Sequence, residues 1–515
     1  MRHPSGRTTG TVVAALIVLV AMLPGLTGAS GGSAPTAVTG SAEGNSAPAG
    51  DFAAGSPNVL LITTDDQTLA EMEFLPQTQR LIGDAGATFE TMLSPHPLCC
   101  PARAEILTGQ YAQNNGVHTN GGPYGGWEAL RDPDDTLGTW LQDSGYDTSL
   151  IGKFLNKWRP EEHGTPAGWS DFQTSPVDSF GYYDFSIYAN GETTDYTGRE
   201  SYSTDYVTDA TVERIEDWSG QDRPFFVWAS YYAPHGDCRK AEAGCKTPPT
   251  PADEYADEYA DLRPPVYDKE SFRAKPDRPN PIVRGRDEVT RGKARQMFLQ
   301  RARSLISVDN GVARIVDALE DQGVLDDTLL LFTSDNGYLL GEHRYLGKVV
   351  GYEESLRVPL LMRGPGVEAG STPRQVATTV DLAPTIVAAA GAEPGRTVDG
   401  RDLRAVVDGS GTAADTVLIQ AGEQPNKASR SGKLWMFRGV RTNRYTYTVW
   451  VRKNGNRYVE LFDNRRDPEQ VDNLAGARRY RAVEKELRQR TSALKSCSGT
   501  DACFGTFGRV PRPGR

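Results

Sequence analysis

Short runs of apolar, often β-branched residues recur along the chain, and polar residues follow each of them. The runs are NVLLITTDDQ (58–67), YDTSLIGKFLNKW (146–158), RPFFVWASYYAPHG (223–236), TLLLFTSDNGY (328–338) and VPLLMRGPG (358–366). Such runs predict strands that are buried on both faces of a parallel sheet. Segments with helical spacing lie between them, as in LISVDNGVARIVDALEDQG at 305–323. The alternation predicts an α/β fold: a large doubly wound, mixed but mostly parallel sheet flanked by helices.

The pattern changes in the last hundred or so residues. WMFRGVRTNRYTYTVWVRKNGNRYVELFDNRRDP (435–468) contains two or three strand-like runs with an Asn-Gly turn, which predict antiparallel strands. ARRYRAVEKELRQRTSALKS (477–496) has the spacing of a charged amphipathic helix. We therefore expect a main α/β domain at 57–412, and a smaller C-terminal domain of antiparallel sheet plus helix at 413–515.

The N-terminus has the pattern of an export signal. Arg2 and Arg7 precede the apolar run TVVAALIVLVAML, and small residues follow it up to Ala29. The pattern predicts a signal peptide at 1–29 and a secreted protein, and the run is too short for stable membrane insertion. Residues 30–56 are almost all Gly, Ser, Ala, Pro and Thr, which predicts a flexible linker.

Composition narrows the possible partners. The 515 residues are 38% hydrophobic and 24% charged, as in ordinary soluble proteins. The formal net charge of -11 argues against a nucleic-acid partner, because a phosphate backbone requires clustered Lys and Arg. An anionic small substrate stays compatible with this charge, since a local group of cations can override the mean.

Polar residues directly follow four of the predicted strands: Asp65–Asp66, Lys153, His235 and Asp335–Asn336. Ligands of doubly wound sheets bind beyond the carboxyl ends of the strands, so these residues predict one site. The four carboxylate and amide side chains suit a hard cation, Ca²⁺ or alternatively Mg²⁺. No Cys/His set typical of zinc accompanies them. Either acidic pair alone would also be typical of a turn or a helix cap.

Cysteine usage draws attention to one segment. In an exported protein, Cys238 with Cys245 and Cys497 with Cys503 could each close a small disulfide loop. These pairings leave the adjacent Cys99 and Cys100 of the segment SPHPLCCPARAEILTGQY (94–111).

Cys99 is expected just before a helix. Pro101 suits the first turn of a helix that runs through ARAEILTG. The start of a helix favours an anion, and Arg103 lies one helical turn further on. Together they form a cradle for a sulfate or phosphate ester. A buried structural cysteine and an ordinary thiolate nucleophile are the alternatives.

CCPAR followed by AEILTG matches the signature C-x-P-[SA]-R-x-x-x-[LI]-[LT]-G of the type I sulfatase family, with Cys99 in its first position. The chain resembles this family from residue 58 to about residue 474, through NVLLITTDDQ, GKFLNKW, YAPHG, FTSDNGYLLGEH, DLAPTIVAAAG and ELFDNRRDPEQVDNLA in the expected order. The double cysteine, GKFLN and SVDNGV are most similar to the N-acetylglucosamine-6-sulfatase branch. The resemblance implies that Cys99 is oxidised to formylglycine (3-oxoalanine) by the formylglycine-generating enzyme, a maturation partner.

The resemblance also implies roles for single residues. The metal ligands are Asp65, Asp66, Asp335, Asn336 and the modified Cys99. Arg103 holds the hydrated aldehyde, and Lys153, His235 and Lys348 bind the sulfate and protonate the leaving group. Further active-site candidates are His118 and His343, whereas the polar, turn-rich contexts of His96 and His163 predict surface positions. The family's usual APHxP reads APHGDC here, and Leu155 replaces a histidine that many sulfatases carry.

These observations predict a secreted sulfatase that acts on a sulfated glycan of the 6-O-sulfated hexosamine type. One alternative is a formylglycine-dependent phosphonate monoester or phosphodiester hydrolase, which shares the fold, the metal and the modified residue. The alternative of another class is a secreted, catalytically inactive glycan-binding protein. A calcium-stabilised structural protein would account for the carboxylates, but it would not account for Arg103, Lys153 and His235.

Overall fold

The strands and helices alternate along the chain as the apolar runs predict. The computed structural model describes residues 55–176, 179–238, 247–273, 280–284, 289–424, 434–452 and 454–514. The predicted signal peptide (1–29), nearly all of the predicted linker (30–56) and Cys245 lie outside these residues. Within the described ranges, no helix is both long and apolar enough to span a membrane.

The strands are Asn58–Thr64 (β1), Ala87–Thr88 (β2), Met92–Leu93 (β3), Asp147–Gly152 (β4), Asp171–Thr174 (β5), Phe185–Ala189 (β6), Glu192–Tyr196 (β7), Phe225–Ser230 (β8), Thr328–Ser334 (β9), Leu339–Leu340 (β10), Leu346–Gly347 (β11), Arg357–Val358 (β12), Leu360–Arg363 (β13), Ala377–Thr378 (β14), Thr416–Gly422 (β15), Trp435–Thr442 (β16), Tyr445–Val451 (β17) and Arg457–Asp463 (β18).

The helices are Pro76–Thr78 (α1), Cys99–Thr108 (α2), Ala112–Asn115 (α3), Leu137–Asp143 (α4), Pro160–His163 (α5), Ser203–Trp218 (α6), Glu270–Arg273 (α7), Pro281–Arg284 (α8), Arg291–Asp321 (α9), Glu353–Leu356 (α10), Leu382–Ala390 (α11), Leu403–Asp408 (α12), Arg481–Leu494 (α13) and Thr500–Phe504 (α14). A π-helical turn, Gln79–Asp84, continues α1, and a 3-10 turn, Leu69–Phe74, follows β1.

The main sheet has nine strands in the order β2-β13-β9-β1-β8-β4-β5-β6-β7. The five neighbours from β9 to β5 are parallel, and the strands outside them are antiparallel. The connections between the parallel strands run through helices, as the alternation requires. This sheet confirms the predicted mixed, mostly parallel α/β architecture.

Both faces of the sheet are covered, which explains why its strands read as continuous apolar runs. In β1, Val59 and Leu61 belong to the core formed with α2, α4 and α11. Leu60 and Ile62 point to the opposite face and belong to the core formed with α6 and α9. Successive strand residues face opposite sides, so a strand between two helical layers has no polar face.

The C-terminal part forms a second, smaller sheet. Strands β15, β16, β17 and β18 pair antiparallel in sequence order, and α13 packs against them. Val483 and Leu487 of α13 contribute to the core of this sheet. The predicted antiparallel sheet with a helix is therefore present. Residues 46–515 form one compact unit, and the domain boundary at 412–413 stays a prediction.

Candidate active site

The carboxyl ends of parallel strands position the predicted site residues. β1 and β9 pair with Thr64 opposite Ser334, so Asp65 and Asp335 follow side by side. The ladder continues past the strands, because the Asp335 N–H donates to the Thr64 carbonyl at 3.1 Å. β8 and β4 lie next in the sheet, and Lys153 directly follows β4. The structure thus brings the strand-end residues to one edge.

A tight turn orients the second aspartate of the first pair. Asp66 has a φ of 70°, a left-handed conformation that aspartate adopts more readily than most residues. Its N–H donates to Asp335 Oδ1 at 3.1 Å, and its own Oδ1 accepts a hydrogen bond of 2.7 Å from Asn336 Nδ2. The side chains of one strand end therefore hold the backbone of the other.

Cys99 is the first residue of helix α2, and the fully extended Leu98 precedes it. Helix α2 therefore begins two residues before Pro101, which is its third residue. Proline is tolerated there because the N–H groups of a first helical turn have no acceptor within the helix. The Cys99 thiol lies 3.4 Å from Asp65 Oδ1 and 2.6 Å from Lys348 Nζ. Cys100, in contrast, belongs to the apolar core beneath the sheet.

Each of the three carboxylates has its own cation. Lys153 forms an ion pair with Asp65, and Lys348 forms one with Asp66. Arg103 Nε donates to Asp335 Oδ2 at 2.9 Å. Its Nη1 donates to the Lys153 carbonyl at 2.8 Å, while Nη2 has no hydrogen-bond partner among the described residues. The result is a buried array of alternating charges with one free guanidinium donor.

Burial and the neighbouring charges lower the pKa of Asp65 but raise the pKa values of Asp335 and Cys99. Burial alone would raise the pKa of Asp65, but Lys153, His235, Lys348 and Arg103 hold it well below its usual range. Burial, reinforced by the negative charge of Asp65, raises the pKa of Asp335 to about 6. Burial and the same charge raise the pKa of the Cys99 thiol to about 12. Unmodified Cys99 is consequently a neutral thiol and a poor nucleophile near pH 7.

His235 faces the carboxylates from the loop after β8. Its Nδ1 donates to the Gly236 carbonyl at 2.9 Å, so the proton of the neutral ring lies on Nδ1. Its Nε2 lies 3.7 Å from Asp66 Oδ2. Burial lowers the pKa of His235 to about 4, although the nearby aspartates oppose this effect. The free ring therefore presents an unprotonated Nε2 to the site.

The other candidate histidines lie outside this cluster. His118 is 5% exposed and packs on Trp435 with 4.3 Å between ring centroids. His343 stacks on Tyr352 at 3.9 Å. Within the described residues, neither histidine is joined to the carboxylates by a hydrogen bond or an ion pair. The predicted surface position of His96 is wrong: its ring is buried and accepts the Gly422 N–H at 3.2 Å.

The remaining cysteines lie apart from Cys99. Cys497 and Cys503 form a disulfide in the C-terminal part of the chain, as their spacing allows. Cys238 takes part in a disulfide, while Cys245 lies outside the described residues. Cys99 and Cys100 are free and buried.

Sequence reasoning missed one buried arginine beside the site. Arg301 of α9 is 1% exposed and forms two hydrogen bonds of 2.6 Å with the Glu71 carboxylate. It also donates to the backbone carbonyls of Asp66 at 2.6 Å and Pro234 at 3.2 Å. Arg301 thereby ties the aspartate turn to the His235 loop. The available signal was a charged residue on the apolar face of the helix QMFLQRARSLI.

The residues at the sheet edge fit a hard divalent cation. One ligand atom each from Asp65, Asp66, Cys99 and His235 lies within 4.8 Å of the others. The Lys348 ammonium contacts Asp66 Oδ1, the Cys99 thiol and Asn336 Oδ1, the last at 3.5 Å. An ammonium group among these atoms shows that they accept a positive charge. Carboxylate and amide oxygens are the ligands that Ca²⁺ and Mg²⁺ prefer.

An oxygen-rich set of ligands, two buried basic side chains, one partly buried lysine and a cysteine at a helix start are typical of α/β enzymes that cleave an anionic ester at the edge of the sheet. The family model described as "Sulfatase" matches residues 57–392. The chain therefore belongs to the sulfatase family. A second model, "N-sulphoglucosamine sulphohydrolase, C-terminal", matches residues 341–496.

Three known proteins illustrate the relationship. A Caenorhabditis elegans homologue of the extracellular sulfatase Sulf-1 is 32% identical over 401 residues, and the match spans 73% of this chain and about half (54%) of that protein. Human N-acetylglucosamine-6-sulfatase is 29% identical over 490 residues, 86% of this chain and 85% of that protein, which confirms the predicted branch.

The third is a solved structure: BT4656 in complex with its substrate D-glucosamine-2-N,6-O-disulfate. It superposes with a TM-score of 0.69 at 24% identity, over 85% of this chain and 97% of that chain. At this identity, the superposition shows a shared fold.

Proposed function

We propose that this sulfatase removes sulfate esters from sulfated glycans, in particular from hexosamines with a 6-O-sulfate. The names of the human relative and of the solved complex, which concern N-acetylglucosamine 6-sulfate and a glucosamine 6-O-sulfate, support this substrate class. The carrying observation is that Cys99, in the first turn of α2, lies with three buried carboxylates, two buried cations and the partly buried Lys348 at one sheet edge.

In this proposal Cys99 is converted to formylglycine by the formylglycine-generating enzyme, and Asp65, Asp66, Asp335 and Asn336 hold Ca²⁺, with Mg²⁺ as the alternative. The hydrated aldehyde supplies a hydroxyl nucleophile, and the cation supplies positive charge beside the sulfate oxygens. Burial raises the pKa of the Cys99 thiol to about 12, and a neutral thiol is a poor nucleophile, which supports this conversion.

The chain's own residues bind and orient the ester. Lys153, Lys348 and Arg103 neutralise the charge of the sulfate in a pocket that is already assembled, so little reorganisation accompanies the reaction. The unpartnered Arg103 Nη2 is a donor for this purpose. An anion bound beside His235 raises the affinity of Nε2 for a proton, and this nitrogen then donates the proton to the leaving sugar oxygen.

Export belongs to the same proposal. Residues 1–29 act as the signal peptide, residues 30–56 as the linker, residues 57–412 as the catalytic domain and residues 413–515 as the small C-terminal domain. The charged and apolar pattern of the N-terminus supports export, as does the extracellular name of the worm relative.

The test compares two neighbouring cysteines in protein made by a host with the formylglycine-generating enzyme. Cys99→Ala is expected to lower kcat/KM for 4-nitrophenyl sulfate by at least about 10³-fold, because the nucleophile is lost. The matched variant Cys100→Ala removes a core thiol and keeps the nucleophile. Mass spectrometry of the peptide that contains residue 99 should show conversion of thiol to aldehyde in both the parent chain and Cys100→Ala.

Comparing the hydrolysis rates of different esters distinguishes between the candidate reactions. Faster hydrolysis of aryl sulfate than of aryl phosphodiesters or phosphonate monoesters is the expected result. The opposite order would make the chain a phosphonate monoester or phosphodiester hydrolase. If Cys99 stays unmodified and no ester is hydrolysed, the result would favour the inactive glycan-binding protein.

A further inference from the structure

A second group of polar and aromatic side chains is connected to the first turn of α2 by two chain segments and has no role in the chemistry above. It consists of His118, Tyr124, Trp435 and Arg438, which we call the aromatic–arginine group. His118 lies between the other two rings: the centroid of Trp435 is 4.3 Å away, and that of Tyr124 is 5.8 Å away. The Arg438 guanidinium stacks on the Trp435 ring at 3.6 Å.

Two chain segments connect this group with the residues around Cys99. His118 is two residues before Asn120, whose Oδ1 accepts the Cys100 N–H at 3.0 Å. His96, three residues before Cys99, lies 6.2 Å from the Trp435 ring centroid. Both segments lead from the aromatic–arginine group to the first turn of α2. In the proposal below, a sugar attached to the bound sulfate extends along this group.

Some polar atoms of this group form no hydrogen bond of good geometry in the part of the chain that the structure describes. His118 is 5% exposed, and although its ring lies close to the Ala112 backbone, neither ring nitrogen forms such a bond. The same holds for Arg438 Nε, and no described carboxylate forms an ion pair with Arg438. Leaving such groups unpaired costs free energy, so structures normally satisfy them with protein, water or a ligand.

Electrostatics show which ligand this arrangement favours. Burial lowers the pKa of Arg438 to about 10, and no acidic neighbour opposes it. Burial lowers the pKa of His118 to about 4, so this ring is neutral near pH 7 and offers one donor and one acceptor. A guanidinium without a carboxylate suits a sulfate or carboxylate, and the neutral imidazole suits an adjacent hydroxyl or amide.

The rings supply the surface on which such a ligand would lie. Tyr124 is 53% exposed and is the one large aromatic or aliphatic side chain that stands out of the described surface. Its ring stacks nearly parallel to that of His118, with 14° between the planes. An exposed ring next to buried, unpaired polar atoms is typical of a binding site rather than of a core.

We propose that His118, Trp435 and Arg438, with Tyr124 at their edge, form a second anion subsite, which binds an acidic group that the substrate carries in addition to the sulfate ester cleaved at residue 99. This inference rests on the proposed sulfatase function. The acidic group is a sulfate or a carboxylate, either on the same sugar or on the neighbouring one. Arg438 binds this group, and His118 selects the hydroxyl or amide beside it.

The first experiment measures selectivity with three substrates: N-acetylglucosamine 6-sulfate, glucosamine 2-N,6-O-disulfate, and a disaccharide of N-acetylglucosamine 6-sulfate with a uronic acid. The parent enzyme should prefer at least one doubly anionic substrate over the singly anionic one. Arg438→Met should lower this ratio of kcat/KM values about tenfold, mainly through KM, because a charge-assisted contact is lost. Arg438→Lys should restore part of the ratio.

The control is Arg457→Met, which removes an exposed arginine from strand β18 of the same sheet and should leave the ratio unchanged. A preference for the N-sulfated sugar places the second anion on the same ring, and a preference for the uronate places it on the neighbouring ring. An unchanged ratio in Arg438→Met would overturn the proposal. An equal loss for all three substrates would do the same, because it would show a purely structural role.

A second measurement separates this inference from the proposed function. Calorimetric titration of the Cys99→Ala protein with the same sugars reports binding without turnover. Weaker binding of the doubly anionic sugars in Cys99→Ala/Arg438→Met supports the subsite, even if the parent chain hydrolyses no sulfate ester. Equal affinity in the two proteins refutes it, even if aryl sulfate is hydrolysed.

Discussion

Two buried regions of this chain hold carboxylates in different ways. At the edge of the main sheet, Asp65, Asp66 and Asp335 each contact a lysine or an arginine. In the C-terminal sheet, Glu460 is 2% exposed, and its partners are neutral donors. These donors are Tyr352 at 2.9 Å, Trp450 at 2.6 Å, Asn280 at 3.1 Å and Thr448 at 3.3 Å.

The difference shows what turns a buried polar cluster into a site. Around Asp65 the cations outweigh burial and hold its pKa low, so the carboxylate keeps its negative charge. Around Glu460 burial outweighs the neutral donors and raises its pKa to about 7. Neutral hydrogen bonds satisfy a carboxylate but do not repay its full desolvation. The first cluster is organised to bind charge, and the second holds the sheet together.

The largest expected effect on stability concerns the Arg301–Glu71 pair, in which a buried carboxylate contacts a cation, as the aspartates of the main sheet do. Arg301→Met should lower the free energy of unfolding by about 3–5 kcal/mol, because it leaves the Glu71 carboxylate buried and unpaired. Denaturant titration followed by circular dichroism measures this change. Arg301→Met/Glu71→Gln should recover a large part of it, since the uncompensated charge is then gone.

A surface pair provides the control for this prediction. Arg374 pairs with Glu90 at 3.1 Å, and their side chains are 85% and 49% exposed. Arg374→Met should change the free energy of unfolding by less than about 1 kcal/mol. Similar losses in the buried and the exposed variant would contradict the view that burial makes these pairs sensitive.

The activity of a Lys153 variant tests the role of the charged cluster at the edge of the main sheet. Lys153→Met removes the cation next to Asp65 and should lower kcat for 4-nitrophenyl sulfate about 10²–10³-fold, the usual effect of losing one preorganised charge. Lys157→Met is the matched control, because Lys157 pairs with Glu128 in a largely exposed position. If both variants retained similar activity, Lys153 would have no part in binding the sulfate.

The smallest expected effect concerns Glu460 and pH. Its raised pKa means that the folded state binds the proton more tightly than the unfolded state. This contribution to stability is complete below about pH 4.5 and is lost as pH rises through about 7, for a total of about 3 kcal/mol.

Glu460→Gln should remove this part of the pH dependence, and unfolding titrations between pH 4.5 and 8 measure it. The exposed Glu90→Gln serves as the reference, since it should keep the slope of the parent protein. A parallel pH profile for the parent chain and Glu460→Gln would show that Glu460 is charged throughout this range.

The strand-end residues could be predicted because the argument is local. Asp65, Lys153 and Asp335 each lie directly after an apolar run, and parallel strands end at the same edge of a sheet. The start of α2 was predicted to within two residues from Pro101. Cys99 and Arg103 came from a motif, since spacing alone left a structural cysteine open.

Long-range partners could not be predicted in this way. His96 has polar neighbours in sequence, yet its ring is buried and accepts a hydrogen bond from Gly422, which lies 326 positions further along the chain. The Arg301–Glu71 pair joins residues 230 positions apart, and His118 contacts Trp435 across more than 300 positions of the chain. The hydrophobic periodicity of a single helix or strand does not predict contacts between residues so far apart in sequence.

The sequence by itself determined the α/β alternation, the strand ends that carry the acidic and basic side chains, and the sulfatase signature around Cys99. Only the tertiary structure decided which cation pairs with which carboxylate, that Cys100 packs in the apolar core, and that Arg438 forms no ion pair with a described carboxylate. The reason is physical: backbone hydrogen bonding and apolar periodicity act between near neighbours, whereas the charge and burial of a side chain depend on residues that folding brings from elsewhere in the chain.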